Sequence, residues 1–123
     1  MRLATFQPPD HAAPLAGEVR DGMVAAFGEG VTVRQRLETG DLSPAEGERW
    51  PLDAVRLLPP VPGPRAIYGI GLNYAAHAVE TGREGQEFPI VFTKVPTAVA
   101  PPGGPVRCPA VVRRLDYAAS WRS

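Results

Sequence analysis

At 123 residues the chain has room for one sizeable core, because a domain of this length buries about two-thirds of its unfolded surface; two full-sized domains are not expected. Its 13 basic and 13 acidic side chains cancel, which removes any global attraction to nucleic acid or to an anionic membrane. Hydrophobic residues at 44% and charged residues at 21% argue against wholesale disorder, while 15 prolines and 13 glycines predict short strands joined by many turns.

The N-terminus reaches Pro8, Pro9 and Asp10 before any long apolar run, and no later segment approaches the ~20 apolar residues of a membrane span. Neither a secretory signal nor a transmembrane helix is expected. Leu3 to Phe6 reads as a first short strand, and His11, beside Asp10 in a proline-containing loop, is expected to be solvated. Residues 16–20, then Asp21-Gly22, then 23–27, form a hairpin signal, since Asp-Gly suits the type I′ turn with its two positive φ angles. Val31 to Leu37 fits either a strand or a short helix ending before Gly40, with Arg34, Arg36 and Glu38 as a solvated face.

Asp41 to Glu46 reads as a loop or a single helical turn, with Ser43 as N-cap, Pro44 at the first helical position and Glu46 closing a capping box. A short apolar segment, Val55 to Leu58, precedes the Pro- and Gly-rich residues 59–64, which cannot sustain a helix or a central strand. The expected organisation is therefore a small β domain over 1–58, a linker over 59–64 and a second unit over 65–123. In that second unit Arg65 to Ile70 and Pro89 to Lys94 read as strands and Tyr74 to Thr81 as a short helix stopped by Gly82. Residues 101–105 read as a tight loop, and 106–109 with 111–112 complete the β pattern. The fold class is α+β, rich in β. Cys108 has no partner for an intramolecular disulfide and reads as a small buried or half-buried residue, which fits a reducing cytoplasm.

Chemistry concentrates in residues 67–80. Gly69-Ile70-Gly71 follows a strand, yet a dinucleotide fingerprint needs a third glycine where Tyr74 stands, so the pair of glycines points to a turn or to close backbone packing. His77 and Glu80 are three apart, on one face of a helix. There Glu80 can accept a hydrogen bond from one imidazole nitrogen and leave the other as a base, although a surface helical pair has the same spacing. Tyr68, Tyr74 and Phe92 read as core or pocket wall, and Lys94 as a surface charge, or a ligand hook if a cleft forms around it. No clustered carboxylates of the kind that hold Mg²⁺ are evident: Glu84 and Glu87 lie in a glycine-containing loop and Asp116 stands alone.

Four ordered blocks, residues 55–62, 70–80, 89–94 and Leu115-Asp116-Tyr117, together with the opening residues 1–6 and the Asp21-Gly22 hairpin, resemble the fumarylacetoacetate hydrolase family in order and spacing over 1–117. The resemblance implies a small N-terminal β domain followed by the start of a β-roll-like catalytic domain. It implies a Mg²⁺- or Mn²⁺-dependent enzyme that hydrolyses, decarboxylates or isomerises β-diketo, 2-oxo or 2-hydroxydienoic acids in small-molecule or aromatic catabolism, with a homodimeric parent. His77 and Glu80 match its catalytic dyad: Glu80 orients His77, which deprotonates a water for attack on a ketone, while the metal holds the substrate oxygens and stabilises an enolate. Asn73 and Lys94 match substrate-binding positions near the pocket.

The chain departs from the family after Tyr117. Where family members carry two metal-binding glutamates, it has Ala118 and Ser120, and a third acidic ligand would lie further on, so no metal ligand is expected here. The expectation is a truncated member, inactive by itself, whose parent takes a small-molecule keto or diketo acid and neither nucleic acid nor membrane. The residues alone also allow a stand-alone, non-catalytic β-rich binding or interaction module in which His77 and Glu80 are incidental.

Overall fold

The computed structural model describes residues 1–71, 88 and 90–114. The chain divides into two compact units, one of residues 1–64 with 99–104, the other of 65–98 with 105–123.

The first unit is built on an antiparallel sheet of β1 (Arg2–Gln7), β2 (Leu15–Arg20), β3 (Met23–Ala26), β4 (Arg49–Pro51) and β5 (Arg56–Leu58), in the spatial order β4-β3-β2-β1-β5. Asp21 and Gly22 join β2 to β3 with φ of 51° and 75°, the two positive angles that a type I′ turn requires. Register then sorts the side chains. Phe6 faces Leu15 on one side and Leu57 on the other, and Val24 faces Val19 and Trp50. One face therefore gathers the core, with Phe6, Val24, Ala26 and Trp50 buried and Leu15, Val19 and Leu57 packed around them. The opposite face carries Thr5, Glu18, Ala25 and Arg49.

β4 was not foreseen, because three residues around a single Trp are too short to show a period. Trp50 is nonetheless central: its ring lies 5.6 Å from that of Phe6, tilted by 59°, and its indole N–H donates to Asp10 Oδ1 at 3.2 Å. His11, expected in solvent, packs its ring edge-on against Trp50 at 5.3 Å and faces Glu48 at 3.5 Å, since the Asp10 contact draws that loop onto the indole.

The segment that allowed strand or helix is helical, α1 (Val33–Thr39). Thr32 Oγ1 accepts the Gln35 N–H at 3.1 Å at its start, and Gly40 closes it in the left-handed region at φ 66°. Arg34 and Glu38 form an exposed pair at 2.8 Å, as a solvated face should. Arg36 does not belong with them. It is buried, because it lies one turn from buried Val33, and its guanidinium meets the Asp41 carboxylate, the Ser43 carbonyl and the face of Phe27 at 4.3 Å. Those contacts also explain why the capping box does not form. Asp41 takes the Ser43 N–H at 2.9 Å and Arg36 takes its carbonyl, so residues 41–46 are held as a loop. Residues 59–64 hold neither helix nor strand, but Thr5 Oγ1 donates to the Pro60 carbonyl at 2.7 Å and ties this stretch to β1.

In the second unit β6 (Ile67–Gly71) pairs antiparallel with β7 (Ile90–Lys94), in a register that sets Ile67 against Lys94, Gly69 against Phe92 and Gly71 against Ile90. The two expected strands are each other's partner. Tyr68 and Phe92, expected in a core or pocket wall, are 68% and 43% exposed, because a two-stranded ribbon has two open faces and no second layer among the described residues. Residues 105–114 contain no strand, and Cys108 is exposed rather than buried. Pro105 and Pro109 remove two ladder donors there, and a turn closes from the Val112 N–H to the Pro109 carbonyl at 2.9 Å. The tight loop at 101–105 forms, with Gly103 at φ 70°. The helix expected over 74–81 lies outside the described residues.

Phe6 is fully buried, so Phe6→Ala should cost about 3–5 kcal/mol in urea denaturation. Gly17→Ala should cost about 1–3 kcal/mol, since a Cβ there meets the Ala25 carbonyl and sits 2.9 Å from the Phe6 ring. Hydrogen bonds from the Ser43 backbone and side chain, aided by Arg36, hold the Asp41 carboxyl below its usual value. A carboxylate with a depressed folded-state pKa contributes stability above its unfolded value, near 3.9, and loses it as pH falls through the folded one. The Tm difference between wild type and Asp41→Asn should therefore shrink below about pH 4 in a thermal melt series.

Candidate functional site

Strand β6 leads into the sequence block that carries acid–base residues, and Phe92 across the ribbon sets how the two strands meet. A Cβ on Gly69 would overlap the outer edge of the Phe92 ring, so only glycine lets that ring lie across β6. Gly71 is different, since a Cβ there would make ordinary contact with Ile90 at 3.4 Å. Of the two glycines, Gly69 is the one that close packing requires.

Lys94 is exposed on β7. It shares a face with Phe92, two residues back, and its Nζ stands 5.9 Å from the ring centre, at the outer limit of a cation–π contact. Its partner Ile67 begins β6, so Lys94 lies at the opposite end of the ribbon from the Gly71–Ile90 pair, roughly 13 Å along the strand. Asn73, His77 and Glu80 follow Gly71 in the chain and lie outside the described residues. Of the four sequence-predicted site residues, Lys94 alone is described.

One cluster in the first unit escaped the sequence. Asp10, His11 and Glu48 each offer an atom within 4.8 Å of the other two, brought together across the β2–β3 hairpin by the Trp50 contact. Nothing in the local pattern around Glu48 signals this, because the pairing of β3 with β4 creates it. Its chemistry does not fit the implied Mg²⁺ or Mn²⁺. Hard ions prefer several oxygen ligands, and here one imidazole stands with two surface carboxylates, Asp10 already accepting from Trp50 and Glu48 facing His11.

Comparison with known proteins converges on one family. Residues 66–120 match the profile of the fumarylacetoacetate (FAA) hydrolase C-terminal domain. Over 97% of its length the chain is 30% identical to the mitochondrial oxaloacetate tautomerase fahd2 of Xenopus laevis, spanning 42% of that protein. Over 55% of its length it is 42% identical to oxaloacetate tautomerase YisK of Bacillus subtilis (strain 168), spanning 24% of it. Among solved structures, 5-carboxymethyl-2-hydroxymuconate delta-isomerase from Mycobacterium smegmatis superimposes with a TM-score of 0.51 at 29% identity, over 80% of this chain and 34% of that one. The chain thus spans well under half the length of each. The ordered motif blocks, the strand pair that carries two of them and the profile match over 66–120 agree: the chain belongs to the fumarylacetoacetate hydrolase family.

Proposed function

We propose that this chain carries the acid–base half of a keto-acid enzyme and does not turn substrate over by itself. The observation that most supports this reading is that the family match over 66–120 encloses His77, Glu80, Asn73 and Lys94 together. In this reading residues 1–58 are the small β domain, 59–64 the linker and 65–123 the start of the catalytic domain.

Glu80 orients His77 and stabilises its charged form, so that the free imidazole nitrogen takes a proton from a water or from the carbon beside a ketone. The first event leads to hydrolysis; the second leads to isomerisation. Relatives named as tautomerases and as a muconate isomerase favour the second. The substrate is a small keto or diketo acid, with Lys94 pairing its carboxylate and Asn73 its carbonyl oxygen.

Proteins of this family commonly bind a divalent cation. When bound, such a cation polarises the substrate oxygens. Ala118 and Ser120 supply no carboxylate where the resemblance places two ligands, so the residues here do not fit that group and no step is assigned to it. The parent enzyme is taken to act as a homodimer in a reducing compartment, which suits the exposed thiol of Cys108. Among the described residues no helix is long and apolar enough to cross a membrane.

A second reading, a non-catalytic interaction module, draws on the exposure of Tyr68, Val91 and Phe92 along the ribbon. Cooperative unfolding as a stable monomer, seen in parallel by circular dichroism and sedimentation, favours that module over a catalytic fragment.

For the catalytic reading, purified chain should ketonise enol-oxaloacetate in Mg²⁺ buffer no faster than a His77→Ala control. Positioned acid–base catalysis is worth about 10²–10⁴-fold, so a wild-type rate tenfold or more above that control overturns the predicted inactivity.

A further inference from the structure

Alternation along β2 sends Gly17 and Val19 toward the core and Glu18 to the opposite face. Glu18 is only 7% exposed there, beneath the loop that follows α1. Its Oε2 accepts the Ala45 N–H at 3.2 Å, while the other oxygen has the Arg20 Nε at 4.0 Å, beyond hydrogen-bonding distance. A carboxylate presents about four acceptor sites, and burying one with a single donor is costly. Glu18 lines a cavity of about 290 Å³ between this sheet face and residues 44–46.

The walls of that cavity say what would satisfy it. Met23, Ala25 and Pro44 give it an apolar side. Its charged lining holds three carboxylates, Glu18, Asp21 and Glu46, against two guanidiniums, Arg20 and Arg49. Both arginines and the carboxylates of Asp21 and Glu46 are exposed, Arg20 with 72% of its side chain in solvent, so their heads can swing outward while buried Glu18 cannot. The fixed charge is negative. We propose that this cavity binds an organic cation, a primary alkylammonium on a short apolar stem, with Glu18 as its ion-pair partner. The stem lies along Met23 and Pro44, and the ammonium, with three donors, reaches the free Glu18 oxygen. Such a group comes either from a free amine or from a lysine side chain of another polypeptide.

The full chain, ¹⁵N-labelled, is titrated with n-butylammonium chloride while the Ala45, Glu18 and Arg20 amides are followed by NMR. Saturable shifts confined to the cavity are expected, and n-butanol and sodium butyrate should produce none. Glu18→Gln keeps the acceptor for the Ala45 N–H and should weaken binding about tenfold or more. Arg20→Ala removes the competing exposed cation and should tighten it several-fold; this variant lies at the surface and leaves the core untouched. An acetyl-Gly-Lys-Gly-amide arm separates the sources. Tighter binding than butylammonium assigns the cation to a protein lysine, and equal or weaker binding to a free amine. Butyrate binding, butylammonium shifts that persist in Glu18→Gln, or weaker binding in Arg20→Ala would each overturn the proposal.

Discussion

The Phe6 ring is the contact on which the first unit depends. Phe6 lies where β1 pairs with both β2 and β5, is fully buried, and meets Trp50 from β4 across the core. It lies over Gly17, where any side chain would strike the ring or the backbone of β3. That approach fixes the parity of β2. With Gly17 toward the core, Val19 must follow and Glu18 must point away; a one-residue slip would bring Glu18 beneath Phe6. The core and the charged face are thus two outcomes of one constraint.

The second face is organised by charge rather than by apolar area. Arg36 on α1 and Glu18 on β2 are both buried, and both hold the loop that follows the helix: Arg36 through Asp41 and the Ser43 carbonyl, Glu18 through the Ala45 N–H. A loop of irregular backbone is thereby pinned between a buried cation and a buried anion. Phe27 beneath the guanidinium supplies what the loop does not, although the Arg36 Nε has no partner among the described residues. Each charge acts through its own partners, Arg36 through Asp41 and Glu18 through the Ala45 N–H, so removing either frees a different part of the loop.

Local chemistry was legible in the sequence wherever it alone decides the backbone. Asp21-Gly22 announced its turn because few other pairs tolerate two positive φ angles, and Gly40 marked the end of a segment that periodicity left open between strand and helix. Burial was less legible. Arg36 carries the same letter as exposed Arg34, and only its phase relative to Val33 separates them. Trp50 hid for a related reason: its strand is three residues long, and its value lies in meeting Phe6, Asp10 and His11, none of which is near it in sequence. The catalytic expectation came from ordered blocks rather than from spacing, since His77 and Glu80 by themselves match any surface helical pair.

The ribbon of β6 and β7 shows how much of a small sheet one close cross-strand contact can carry. Two strands alone make a weak sheet, so its register rests on specific cross-strand contacts rather than on a shared core. Gly69 beneath Phe92 is the most demanding of these, since no other residue admits the ring. In this register Gly71 stands opposite Ile90, and Lys94 shares the face of Phe92. A slip by one residue would carry Phe92 and Lys94 to the other side.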